Sequence, residues 1–166
     1  MPFHDELPRR EGPRPVTTPH APHSQIDQIP PPAERVALGR ALIANIAALP
    51  HVRTGGSRRA PWGTVGFHLD PEHARTCERV FLLDQEFAHV HLEDDGSLHA
   101  ILHEPLRTEA IDAGWAEVHP FAGQPTVSPD TVMLYAPRND AEVAIISKLV
   151  HRSWLNASRT STIASA

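Results

Sequence analysis

Residues 86–99 read EFAHVHLEDDGSLH, and the way this stretch folds decides the rest. Phe87 to Leu92 alternates, the EDDG segment turns, and Ser97 to Leu102 alternates back. That pattern predicts a β-hairpin with glycine where a left-handed residue is wanted. A strand sends every second side chain to one face, so His89 and His91 point the same way. Their Cα atoms lie about 6.6 Å apart at strand rise. The side on which His99 lies depends on the turn. A three-residue loop (94–96) pairs Glu93 with Ser97 and sets His91 opposite His99, so all three histidines share a face. A loop of two or four residues sends His99 to the other face. The glycine as third loop residue favours the three-residue form.

Two imidazoles from one strand and a third from its neighbour are a way to build a three-histidine metal site with an open position for water or substrate. His89, His91 and His99 are therefore the candidate metal ligands. Imidazole suits zinc, iron, copper or nickel, so the ion is left open. The alternative is a solvated or pH-sensitive histidine face. Asp84 and Glu86 flank the strand. A carboxylate there could orient an imidazole, but a solvated strand end is the simpler expectation.

Outward from the hairpin, the chain reads as a helix over about 33–49, ended by Pro50, then a loop over 53–63. A strand over 64–70, a polar segment over 71–79 with room for a helical turn, and a short strand over 80–83 lead into the hairpin. Pro105 suits the first turn of a helix over about 105–113, and Gly114 its end. A buried strand over 131–137 follows. Asn139 then caps a last helix running to about Asn156, with Glu142 completing a capping box. Strands grouped together with helices outside them indicate an α+β domain: one mostly antiparallel sheet with helices on one face.

His119 lies between the second helix and the last strand, a place for a site loop. His103 is expected to cap the second helix. His68, in phase with Gly66, faces the hairpin cleft if the two strands are neighbours. His4, His51, His73 and His151 read as surface residues. Arg58 and Arg59 make a small basic spot in a glycine loop that lacks phosphate-loop spacing. Cys77 has no catalytic context.

At 166 residues the chain fits one domain. With 40 % hydrophobic but only 5 % aromatic residues, aliphatic side chains must fill its core. The formal charge of −5, with twelve histidines counted as neutral, argues against phosphate backbones, hence against nucleic acid, and against anionic lipid. No apolar run is long enough for a membrane span, and MPFHDELPRR is not a secretory signal. One cysteine allows no internal disulfide. A cytoplasmic protein is the expectation, and edge strands in so small a sheet allow a homodimer. On composition alone the proline-rich residues 1–32 read as a disordered tail.

The stretches TTPHAPHSQIDQ (17–28), EFAHVH (86–91), GSLHAIL (96–102), AIDAGWAEVHPFAG (110–123) and TVMLYAPRNDAEVAIISKL (131–149) together resemble small bacterial proteins known as luciferase-family or luciferase-like domain proteins. The resemblance covers roughly residues 12–155. It implies that His89, His91, His99 and His119 occupy the family's histidine positions. It also implies that residues 14–32 form an extended arm on a domain spanning 14–156, with His23, Gln25 and Asp27 near the cleft and flexible ends at 1–13 and 157–166. RTCE (75–78) departs from the family's glycine-containing form.

These readings converge on a histidine-lined cleft that acts on a small-molecule ligand. His89, His91 and His99 hold a divalent transition metal (zinc, iron, copper or nickel) or serve as acid–base groups, and His99 and His119 are the catalytic candidates. The chemistry is of oxidoreductase or hydrolase/lyase type, and oxygen-dependent if the luciferase name carries over. The rival is a non-catalytic small-ligand-binding or pH-sensing module.

Overall fold

The computed structural model describes residues 6–159. The expectations for His4 and for the last seven residues lie outside them.

The sheet has six strands, all paired antiparallel, in the order β1-β2-β3-β4-β6-β5. These are β1 (Val52–Gly55), β2 (Val65–Leu69), β3 (Glu86–Val90), β4 (Leu98–Ile101), β5 (Ala116–Val118) and β6 (Thr131–Leu134). Helices α1 (Pro32–Ala47) and α3 (Asp140–Ala157) pack against each other and against β1–β4 on one face, and the short α2 (Leu106–Asp112) leads into β5. The expected α+β architecture is the observed one.

Alternation explains which residues meet those helices. Phe67 and Leu69 of β2, Ala88 and Val90 of β3, Leu98 and Ala100 of β4, and Val132 and Leu134 of β6 all enter one core. Leu38, Leu42 and Ile46 of α1 and Val143, Ile146, Leu149 and Val150 of α3 fill it from above, rows spaced three or four residues apart facing the sheet. Asn139 caps α3, its side chain accepting from the Glu142 amide at 3.0 Å. The expected reciprocal bond differs, because the Glu142 carboxylate takes the Arg138 amide instead, at 2.8 Å.

The opposite face of the sheet carries the histidines, and the N-terminal arm covers it. The Arg10 amide donates to Ala113 O (2.8 Å), Arg14 Nη1 donates to Ala116 O (3.1 Å), and the Gln25 side chain accepts from the Ala136 amide (2.9 Å). Each bond satisfies a backbone group of the β5–β6 side. The arm is thereby an ordered layer, and the disordered tail read from composition is wrong for residues 6–31. Proline-rich chain can lie in place when its polar groups find fixed partners.

Several local expectations differ from what is found. Residues 53–55 belong to β1, paired with β2, and not to a loop. Residues 80–83 form no strand: Glu78–Val80 is a 3-10 turn, and only Leu83 bridges to Glu86. β5 was not expected at all. Its three residues are too few for a periodicity to register. His103 caps no helix, and its Nδ1 lies 2.8 Å from Asp130 Oδ2.

Candidate functional site

The hairpin register is the first determinant. Val90 pairs with Leu98, His89 with His99 and Ala88 with Ala100, and the His91 amide donates to Ser97 O at 2.9 Å. The connection is therefore five residues, Leu92 to Gly96, and the three-residue loop is incorrect. Five and three have the same parity, so the three histidines still share a face. The residue directly opposite His99 is His89, however, not His91. Gly96 takes φ +79° at the end of the turn, as the glycine signal required.

The second determinant is a bulge. Phe67 pairs with Ala88 but His68 pairs with Glu86, which leaves Phe87 as an extra residue in β3. An inserted residue shifts the alternation by one. Phe87 and Ala88 both enter the core, and Glu86 turns to the histidine face. Glu86 is only 1 % exposed, so the solvated strand end expected for it is not what is found. Gly66, opposite His89, gives this carboxylate room: a Cβ there would meet His68 Nε2 at 2.8 Å and Glu86 Cδ at 3.4 Å.

The ring nitrogens of His89, His91 and His99 come together, one from each within 4.8 Å of the others. All three side chains are buried, yet all line a cleft of about 270 Å³. Pro22, Pro61, Leu82 and Phe121 add apolar lining, and the exposed Arg59 also borders the cleft.

The hydrogen bonds assign the proton on most of these rings. A carboxylate only accepts, so His89 Nδ1–H donates to Glu86 Oε1 at 2.5 Å, leaving His89 Nε2 a lone pair. Ser57 Oγ donates to the same oxygen at 2.8 Å. Ser97 Oγ donates to Asp95 Oδ1 (2.7 Å) and so accepts from His91 Nδ1–H at 3.0 Å. His91 Nε2 is therefore also a lone pair. Asp95 further accepts from the amides of Ser97 (2.8 Å) and Gln25 (2.7 Å). Burial raises the pKa of Asp95, but the bonds from His91, Ser97 and Gln25 outweigh that and hold it below its ordinary value.

His99 sits between two acceptors. Its Nδ1 lies 3.1 Å from His89 Nε2, and its Nε2 lies 3.3 Å from His23 Nδ1. His23 Nε2–H donates to Glu117 Oε1 at 2.6 Å, so His23 Nδ1 too is a lone pair. A neutral imidazole has one proton and can meet only one of these neighbours. The other contact sets two lone pairs against each other. A second proton would resolve this, but burial, followed by His89, His91, His119 and His23, pushes His99 well below its ordinary pKa. Burial also lowers His89, outweighing the bond to Glu86. A metal cation at the lone pairs of His89 Nε2, His91 Nε2 and His99 Nδ1 would resolve it without protonation. Two nitrogens on one tetrahedral zinc stand about 3.3 Å apart at ordinary bond lengths, close to the observed 3.1 Å.

His119 follows β5 and faces the same cleft, its ring 4.7 Å from that of His99. With His23 and His99 it makes a second group of adjacent nitrogens. Its Nδ1 accepts from the Phe121 amide at 3.1 Å, so Nε2 carries the proton and acts as a donor. Burial, then nearby His23, His89 and His91, lowers its pKa to about 4.

Of the other residues named from sequence, His68 shares the face but binds Gly56 O through Nε2 (3.1 Å), and Asp84 pairs with Arg58 (2.9 Å). Asp27 holds the Val16 amide and lies outside the cleft lining. His51, Asp70 and His73 make a further group on the surface, but the two rings stack parallel at 3.4 Å, which does not aim their nitrogens at one point. Glu117 was missed. The signal for it was its position two residues before His119, on the same side of an extended segment.

A family model described as Luciferase domain matches residues 84–153. The luciferases of Armillaria gallica and Armillaria mellea are each 30 % identical to this chain over 162 residues, covering 89 % of the chain and 60 % of those proteins. That of Neonothopanus nambi is 29 % identical over 164 residues, with the same coverage. The chain thus spans about three fifths of the length of these relatives. No solved structure matches it. Among the described residues no helix is long and apolar enough to cross a membrane. The matched segment begins just before the bulge that turns Glu86 inward and ends within α3, so the similarity to the Luciferase domain takes in the whole histidine hairpin together with Glu117 and His119.

Proposed function

We propose that the cleft is the site of a metal-dependent enzyme acting on a small molecule, with His89, His91 and His99 as the ligands of one divalent transition metal ion. The observation that carries this reading is the convergence of ring nitrogens from His89, His91 and His99, two of these rings having their outer N–H groups held by Glu86 and by Ser97 with Asp95. Outer hydrogen bonds of this kind fix the tautomer and orientation of a ligating histidine. Three protein ligands leave a coordination position open towards the cleft, where the ion would polarise substrate or activate bound water or oxygen. His119, neutral with its proton on Nε2 and lining the same cleft, would donate a hydrogen bond to whatever occupies that position. The relatives' name, luciferase, puts oxidation of the small molecule ahead of hydrolysis.

Elemental analysis of protein purified without a histidine tag tests this. About one zinc, iron, copper or nickel per chain is expected, falling sharply in His89→Ala and His91→Ala. Protein that stays metal-free after incubation with each ion would remove the reading. It would leave acid–base chemistry by the histidines, or the non-catalytic alternative of a small-ligand-binding module, in the same cleft. The low pKa of His119 and His99 disfavours a pH sensor working near 6.5.

A further inference from the structure

The three candidate ligands are not supported alike. His89 and His91 are braced from within or beside their own hairpin, by Glu86 and by Ser97 with Asp95. His99 has no carboxylate or hydroxyl at its outer nitrogen. What it meets there is a second imidazole, His23, 3.3 Å away and brought by the arm rather than by the sheet. His23 is 5 % exposed, and its ring lies within 12° of parallel to that of His99 with ring centroids 5.4 Å apart, as suits a contact between ring nitrogens.

His23 is itself fixed. Its Nε2 donates to Glu117 Oε1, and that oxygen also accepts from Thr17 Oγ1 at 2.6 Å. Glu117 Oε2 accepts from the Tyr135 hydroxyl at 3.1 Å. Burial raises Glu117, but the bonds from His23, Thr17 and Tyr135 outweigh it and keep the carboxylate ionised. With two hydroxyls and one ring N–H pointed at it, Glu117 can only accept. That leaves His23 one tautomer, with its lone pair on Nδ1 facing His99.

We infer that His23 and Glu117 are positioning residues, a two-step outer relay that fixes the proton of His99 on Nε2 and so frees its Nδ1 for the metal. The inference rests on the three-histidine reading above and extends it to residues outside the hairpin. The relay couples the arm to the centre: with His23 in place His99 has one tautomer fit to ligate, and without it the ring can turn or shift its proton. It also separates the two histidine groups that share His99. His99 Nε2 is occupied by its proton and His119 Nε2 by its own, so the group of His23, His99 and His119 holds no second ion.

The test is a competition titration of zinc(II) against a chromophoric chelator. It is run on the full chain, with visible absorption of the cobalt(II)-loaded protein and the bound stoichiometry measured alongside. His23→Leu, which keeps bulk but accepts no hydrogen bond, should weaken metal binding about 10–100-fold. His23→Gln can accept from His99 and donate to Glu117, and should stay within a few-fold of wild type. Glu117→Ala should weaken binding by about tenfold, with an altered cobalt spectrum. Adding Glu117→Ala to His23→Leu should cost little more, because the carboxylate acts through the imidazole.

If His23 only packs, leucine is tolerated at least as well as glutamine, and the relay is overturned. Two ions per chain in protein whose His51 and His73 are replaced by alanine would overturn it too, since the second would then need His99 Nε2. Should His23→Leu fail to fold, the partly exposed Glu117 carries the test alone, and unchanged affinity in Glu117→Ala rejects the relay. Wild-type protein that binds no metal ends the three-histidine reading and the relay together. Wild type that binds one ion, with these variants unaffected, ends the relay alone.

Discussion

Glu86 and His89 are hydrogen-bonded on one face of β3 although three positions separate them. In a regular strand an odd separation puts two side chains on opposite faces. The extra residue at Phe87 removes the conflict, sending one more side chain into the core and one carboxylate to the histidines. The bulge thus serves packing and chemistry in one step.

Removing the carboxylate isolates its effect. Glu86→Ala should leave His89 Nδ1–H and Ser57 Oγ without their acceptor and lower zinc affinity about 10–100-fold. Glu86→Gln keeps an acceptor oxygen and should lose less. A chelator competition measures both, and equal affinities in wild type and Glu86→Ala would exclude Glu86 as a support of the centre.

Phe87 carries the other half of the bulge. It is fully buried, its ring centroid 6.3 Å from that of Phe67 under α3. Phe87→Ala should cost about 3–5 kcal/mol of stability, as large-to-small changes of buried aromatics do. Urea denaturation reads this, and a loss below about 1 kcal/mol would mean that the site collapses around the smaller side chain.

How much of this could be read in advance follows from the same two residues. Period-2 alternation placed His89 and His91 on one face, and the favoured three-residue loop added His99 to it; that held although the loop length was misjudged, because face depends only on parity. Glu86 was named as a possible support for an imidazole but set aside as a solvated strand end, since a bulge leaves no mark in a pattern of apolar and polar residues. β1 and β5 are edge strands of four and three residues, held by pairing with β2 and β6 rather than by any propensity of their own. His23 was suggested only by the family resemblance. Composition spoke for a loose tail there, and what orders the arm is a set of single hydrogen bonds to distant partners.

The buried histidines give the metal-free protein a definite pH dependence. His89 and His99 lie below their ordinary pKa, and His119 is lowered to about 4, burial being the first cause in each. Below pH 6.5 the unfolded chain takes up protons that the folded chain refuses. Stability is therefore full above that value and falls as pH drops from 6.5 towards about 4. The slope is up to about 1.4 kcal/mol per pH unit for each fully buried ring that stays neutral. Urea midpoints measured at intervals across that range in the presence of a chelator should decline steadily, and a flat profile would contradict the burial of these rings.

Gln25 ties the arm to the sheet at one point. Its Oε1 accepts from the Ala136 amide, its Nε2 donates to Asp27 O at 2.9 Å, and its own amide donates to Asp95 Oδ2. Gln25→Ala keeps the last of these bonds but leaves the buried Ala136 N–H unpaired, a loss of about 1–3 kcal/mol. The urea midpoint should fall with an unchanged slope, because the surface exposed on unfolding is nearly the same. The exposed stretch from Pro19 to Pro22 should become cleavable by protease under conditions where the wild-type arm resists and the sheet remains folded. If the variant matches wild type in both measurements, the arm is held by its other contacts, those of Arg10, Arg14 and His23, and the Gln25 bonds are incidental.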